Sequence, residues 1–154
     1  MTERIRAPKT SHHLDSIKRM MSGALPPPPI AKLIGFVPVS VDLGRTVFEL
    51  EAGPQHANPM GTLHGGILCD LADAAMGMAM ATTLEDEETF TTLDLTSKYC
   101  KPVWRARLVA SAVVVKRTRQ LGLIECDVVD ESQSLVAKVW STCMVLRGEE
   151  AKGR

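Results

Sequence analysis

The chain has 154 residues, 45% of them hydrophobic and 4% aromatic, enough to bury the core of one compact domain. Eighteen basic residues balance eighteen acidic ones, so no global field draws the chain to nucleic acid, and a small molecule or a protein is the better partner. Cys69, Cys100, Cys126 and Cys143 have no close C-x-x-C spacing. They read as small core residues kept reduced in the cytoplasm, not as zinc ligands, and no metal is expected.

Residues 1 to about 11 are polar and basic, and Arg4, Arg6 and Lys9 have no apolar run behind them, so they do not read as a secretory signal. Leu14, Ile17, Met20 and Met21 then recur at helical spacing until Gly23 and the prolines Pro26 to Pro29 stop the helix. The prolines should form a stiff extended spacer. This arm, residues 1–29, either docks on the outside of the main domain or forms a lid over a substrate channel. It is too short for a complete DNA-reading helix-turn-helix.

The main domain is expected over residues 30–147, with a polar tail at 148–154. Ile34 to Val41 and Thr46 to Ala52 read as two strands turning at Asp42-Leu43-Gly44-Arg45, with Phe48 and Leu50 alternating with Glu49 and Glu51. Gly53-Pro54 then opens a loop carrying His56 and Asn58. Beyond the central stretch, Glu85 to Glu88 reads as a solvated acidic turn. Four more strands follow at Phe90 to Tyr99, Arg107 to Lys116, Gly122 to Val129 and Leu135 to Leu146. Short turns between consecutive strands imply an antiparallel sheet, and there is no internal repeat.

Between the two groups of strands, residues Gly66 to Ala81 predict a helix apolar on nearly every side. Such a helix is expected to be buried on all sides, with the strands curled around it. It is too short, and with Asp70 and Asp73 too acidic, to read as a membrane span. Asp70 lies a turn from the helix start and fits a solvated position near the positive end of the dipole. Asp73 is deeper, and a carboxylate there either finds donors or is kept for chemistry.

Gly65 and Gly66 stand at the helix start, where N–H groups lack intrahelical partners and a ligand oxygen can approach the backbone closely. A carbonyl turning into an oxyanion would be stabilised there, although a Gly-Gly pair also serves a merely tight turn. His64 can orient a carbonyl or cap the helix; Asn58 can position water or hold its own loop. Together with a buried acid these parts suit hydrolysis of an activated acyl group. From His64 to Asp73 is nine residues, ~13.5 Å along a helix axis, too far for both ends to act on one carbonyl. A second subunit's helix running antiparallel to the first would solve this, with two shared sites per homodimer.

The run Asn58-x-x-Gly61-x-x-His64-Gly65-Gly66, followed by Leu71-Ala72-Asp73, Leu93-Asp94-Leu95 and Tyr99-x-x-Pro102, resembles the hotdog-fold acyl-CoA thioesterases, in particular their phenylacetate-pathway (PaaI-like) branch. The resemblance covers about Ile30 to Arg147. It implies an α+β fold with an antiparallel sheet wrapped around a long central helix, homodimers with a continuous sheet, and often a dimer of dimers. It implies an acyl-CoA substrate and no cofactor, since coenzyme A is part of the substrate. By position Asp73 matches the catalytic carboxylate, as nucleophile or general base. The Gly65 N–H would polarise the thioester carbonyl, with Gly66 beside it. His64 and Asn58 would orient carbonyl or water, and Thr92 matches a position where a hydroxyl assists. Lys116, Arg117 and Arg119, at a hairpin tip, become candidates for the coenzyme A phosphates, where composition alone reads a solvated turn. Hydration or dehydration of enoyl-thioesters and non-catalytic acyl-CoA binding are the alternatives on the same fold.

Overall fold

The structure, a computed structural model, describes residues 5, 7–8 and 12–152. Helix α1 runs His13–Met21 and α2 Pro29–Ile34; strands β1 Val37–Asp42 and β2 Arg45–Ala52 follow, then α3 Gly65–Ala81, then β3 Glu88–Tyr99, β4 Ala106–Arg117, β5 Leu121–Val129 and β6 Leu135–Arg147. The six strands form one antiparallel sheet in the order β1-β2-β4-β5-β6-β3. The sheet curves around α3, which is the hotdog arrangement implied by the resemblance.

Strand alternation supplies the inner face. Thr46, Phe48, Leu50 and Ala52 on β2, and Leu108, Ala110, Ala112 and Val114 on β4, all point inward at every second position. On α3 the buried residues are Leu68, Leu71, Ala72, Ala75, Met76, Ala79 and Met80, one stripe at three-and-four spacing. Two threonines pin the helix to the sheet. The buried Thr46 hydroxyl donates to the Ala75 carbonyl at 2.7 Å, and Thr82 just past the helix accepts from the Gly44 N–H at 2.7 Å. Gly44 turns the β1–β2 hairpin at φ +67°, in the left-handed region that glycine enters without strain. A Cβ on Gly122 would lie 2.4 Å from the Met80 sulfur, so any side chain here would make the Met80 thioether move.

Four expectations change. The central helix is buried by the sheet on one stripe only; Asp70 is exposed and Asp73, Ala74, Gly77 and Met78 are half-buried on the other side. An apolar sequence all round is therefore not matched by protein on all sides within a single chain. The proline run leads directly into α2, with Pro29 at its first turn and Gly35 at φ +94° ending it, so β1 begins at Val37 and not at Ile34. Glu88 does not belong to a solvated turn: it opens β3, with its side chain 10% exposed between Arg117 and Arg147. Of the cysteines, Cys126 and Cys143 are core residues, but Cys69 is half-buried and Cys100 exposed. Burial pushes the Cys126 thiol up to about 12, so it stays protonated in the core.

The expectation of a loose basic segment at the start of the chain falls mostly outside the described residues, Arg4, Arg6 and Lys9 included, as do the last two residues of the polar tail. The described part of that tail is a short 3-10 turn at Gly148–Ala151. Among the described residues no helix is long and apolar enough to cross a membrane.

Candidate active site

The start of α3 is built by its own cap. His64 sits in extended backbone, and its Nδ1 accepts from the Gly66 N–H at 2.9 Å. An accepting Nδ1 carries no proton, so the neutral ring holds its proton on Nε2 and presents an N–H donor from an exposed side chain. Gly66 offers no free N–H to a ligand, because the cap has taken it. The Gly65 N–H has no acceptor among the described residues and remains the open donor at the positive end of the helix.

Tyr99 fixes this end from the sheet. Its hydroxyl donates to the Gly65 carbonyl at 3.2 Å and lies 3.2 Å from the Cys69 sulfur. A Cβ on residue 65 would stand 3.0 Å from the tyrosine ring and push it outward, so glycine suits packing as well as access here. Asn58 is committed to its loop: its Nδ2 donates to Thr62 Oγ1 at 2.8 Å, and its Oδ1 accepts from the Met60 N–H at 2.9 Å. One amide hydrogen of Nδ2 is left over. His56, in the same loop, is buried and holds the Ile34 carbonyl at 2.8 Å.

Asp73 lies two turns further along. Thr92, on β3, donates its hydroxyl to Asp73 Oδ1 at 3.4 Å. Burial raises the Asp73 carboxyl above its ordinary value; the Thr92 hydrogen bond opposes the rise and the charge of Asp70 adds to it. Asp73 and Thr92 stand on the wall of a cavity of about 650 Å³ whose other lining is almost wholly apolar. Neither Asn58, His64, Gly65 nor Gly66 lines that cavity. One chain thus brings Asp73 together with Thr92, and His64 together with the two glycines, but keeps the two groups about 12 Å apart along the helix.

Residues 60–137, half of the chain and the stretch that holds both groups, match the sequence profile of the thioesterase superfamily. The chain belongs to this superfamily. Its relatives among characterised sequences include a 1,4-dihydroxy-2-naphthoyl-CoA hydrolase of Listeria monocytogenes, 26% identical over 70% of this chain and 87% of that protein. Human acyl-coenzyme A thioesterase 13 is 28% identical over 61% of this chain and 67% of its own length. Among solved structures, a phenylacetic acid degradation-related protein of Ralstonia eutropha JMP134 superposes with a TM-score of 0.76, at 29% identity, over 83% of this chain and 98% of that one.

The arginines of this thioesterase lie elsewhere. Arg117 pairs with Glu88 at 2.8 Å, and its side chain is only 13% exposed. Burial pulls its guanidinium below the ordinary arginine value, against the pull of Glu88. Arg147 also pairs with Glu88 and donates to the Arg119 carbonyl at 2.6 Å. Arg119 and Lys116 are exposed, and Arg119 shares with Arg117 and Arg147 a separate hollow of about 360 Å³ past the end of α3, bordered by Thr83. One contributor has no role assigned from the sequence. Tyr99 was visible only as part of a motif, since nothing in its neighbours says that its ring covers Gly65. The arm residues Met20, Met21 and Leu25 line the cavity beside Asp73, the place of the lid that was one of the two roles expected of the arm.

Proposed function

We propose that the protein hydrolyses an acyl-CoA thioester to a carboxylic acid and coenzyme A, with Asp73 as general base. One observation carries this reading: a carboxyl with its affinity for protons raised by burial, touching a hydroxyl, on the wall of an apolar cavity. A water between Asp73 and Thr92 gives its proton to Asp73 as its oxygen bonds to the thioester carbon. The carbonyl oxygen becomes an oxyanion facing the Gly65 N–H, with the His64 Nε2–H beside it. Collapse of that intermediate breaks the carbon–sulfur bond, and the proton held by Asp73 passes to the departing sulfur. Asn58 contributes its spare amide hydrogen, Gly66 the space for His64 to cap, and Arg119 with Lys116 a positive surface for the coenzyme A phosphates, while Arg117 braces that surface. No cofactor is required. The activities named for the Listeria and human relatives, both on coenzyme A thioesters, support the substrate class.

The site is shared between two subunits of a homodimer, the Gly65 end of one α3 facing Asp73 of its partner. Two facts support this. The separation along one helix forbids a one-chain site. Strand β3, next to Asp73, is an edge strand of 12 residues with Leu93 52% exposed, an open ladder suited to pairing with a second copy. Pairs of such dimers make the tetramer.

The test is release of free thiol from a panel of aryl- and fatty-acyl-CoAs by the wild type and Asp73→Asn. Asp73→Asn should lose at least about 10³-fold in kcat, the scale of a missing general base together with the water it held. Thiol release that survives undiminished ends the reading. A single turnover in ¹⁸O-water should put the label in the product acid; label in the Asp73 carboxylate instead would make Asp73 the nucleophile.

A further inference from the structure

The arm, residues outside the stretch that matches the superfamily, covers one side of the cavity that starts at Asp73. The floor is the half-buried side of α3, where Ala74, Gly77 and Ala81 recur after Asp73 and leave room above the helix. The roof is Met20 and Met21 at the end of α1, followed by Leu25 and the prolines Pro26 to Pro28. The arm is held in place at its start: the His12 N–H donates to Asp86 Oδ1 at 2.6 Å, and the His12 ring meets the same oxygen at 2.9 Å. Ile17, buried on the inner side of α1, holds the middle.

We infer that this cavity takes the acyl group of the substrate, and that it fits an unsubstituted aliphatic chain of about ten carbons. The inference rests on the reading of Asp73 as the base that acts at the thioester carbon. Two observations fix the class. Beyond Asp73 and Thr92, the described side chains lining the cavity are apolar, so a hydroxyl on the far part of the acyl group would be buried without a side-chain partner. The length follows from the floor: Asp73 to Ala81 is eight residues, ~12 Å, and an extended chain advances ~1.3 Å per carbon. The volume of about 650 Å³ is ample for such a chain. Two methionines in the roof, with unbranched and polarisable side chains, follow the outline of a flexible alkyl chain better than a rigid wall would.

Straight-chain acyl-CoAs from four to sixteen carbons, with hydroxybenzoyl-CoA alongside, test this by thiol release. The wild type should gain about fourfold in kcat/KM per added methylene until the chain fills the cavity near ten carbons, then level or fall. Gly77→Leu sets a side chain into the floor ~6 Å past Asp73, so the decanoyl-to-butyryl ratio of kcat/KM should fall at least tenfold. Met20→Ala with Met21→Ala opens the roof and should raise the hexadecanoyl-to-decanoyl ratio severalfold. It also serves as the test should Gly77→Leu not fold, which a thermal melt shows. Ratios unchanged in the folded variants, or hydroxybenzoyl-CoA as the best substrate, would overturn the assignment. Binding of a decanyl thioether of coenzyme A, measured by calorimetry, separates this inference from the one beneath it. If no thioester is hydrolysed but Gly77→Leu still weakens the thioether at least tenfold, the cavity holds the chain and only the hydrolytic reading fails. A thioether bound equally by both proteins overturns the cavity.

Discussion

Two stretches of α3, its start and its middle, treat polar groups in opposite ways. At the start, backbone N–H groups point out of the helix, His64 takes one of them, and the Gly65 N–H is left to meet a developing negative charge. In the middle, the backbone groups have partners in the helix, with Thr46 adding one to the Ala75 carbonyl, and Asp73 sits where its own negative charge is disfavoured. One end welcomes an anion and the other holds on to a proton. Hydrolysis of a thioester needs both, and eight residues of helix keep them apart in one chain. The contrast teaches that a regular helix can carry two incompatible electrostatic environments only by separating them, and it is this separation that the proposed second copy would bridge.

After Asp73→Asn, the largest effect should come from breaking the start of the helix. Proline is well tolerated at the first helical position and removes only the N–H. Since the Tyr99 ring lies 3.0 Å from a Cβ at residue 65, the variant is Gly65→Pro in a Tyr99→Ala background, with Tyr99→Ala alone as control. Loss of the donor should lower kcat by about 10²–10³-fold relative to that control. Mixing this chain with an Asp73→Ala chain that also carries Tyr99→Ala should then restore about a quarter of the control activity, because half of randomly paired dimers are mixed and each has one intact site. No recovery on mixing would mean that each chain acts alone.

Next in size is the response of the middle of the helix to pH. Asp73 must be ionised to accept a proton, so the acid limb of kcat/KM should lie above the usual aspartate range, and Thr92→Val should move it further up by removing the opposing hydrogen bond. Stability has the opposite sign. Between the unfolded and the raised folded pKa the native state binds more protons, so stability drops as pH rises through that window. Asp73→Asn should therefore melt higher than the wild type at neutral pH and show no advantage well below the window. A variant less stable than the wild type at neutral pH would mean that Asp73 holds the fold together.

Much of this was legible in the sequence, and the gaps have physical causes. The alternation of Phe48 and Leu50 with Glu49 and Glu51 marks β2 correctly because one face of the sheet is wet. Asp73 stood out because a carboxylate in an apolar helix is costly wherever that helix lies. Helix α2 was hidden by its length of six residues, too short for a periodic signal, although Pro29 and Gly35 bracket it with the residues expected at a helix start and stop. Glu88 was read with its acidic neighbours because charge is additive in a sequence, whereas its burial depends on Arg117 and Arg147, which lie 29 and 59 residues away. The candidate site divides the same way. His64 and Gly65 are neighbours and reveal a cap, while the roof over Asp73 joins residues separated by half of the domain.

The smallest effects should separate the arginines at the far end of α3. Arg117 and Glu88 form a largely buried pair, so Arg117→Ala leaves a carboxylate in a dry place with Arg147 alone, at a cost of about 3 kcal/mol in stability by denaturant unfolding. Arg119 is exposed, and its side chain can leave without disturbing the core, so Arg119→Ala should change stability by less than about 0.5 kcal/mol. If Arg119 meets the coenzyme A phosphates, that variant should raise KM for acyl-CoA about threefold with kcat kept, a change of ~0.7 kcal/mol expected of one exposed charge. The same loss should appear in the wild type as salt is raised, and salt should affect Arg119→Ala less. Equal salt sensitivity in both proteins would assign the phosphates to other side chains, and the hollow past Thr83 would then be a brace between β3, β4 and β6.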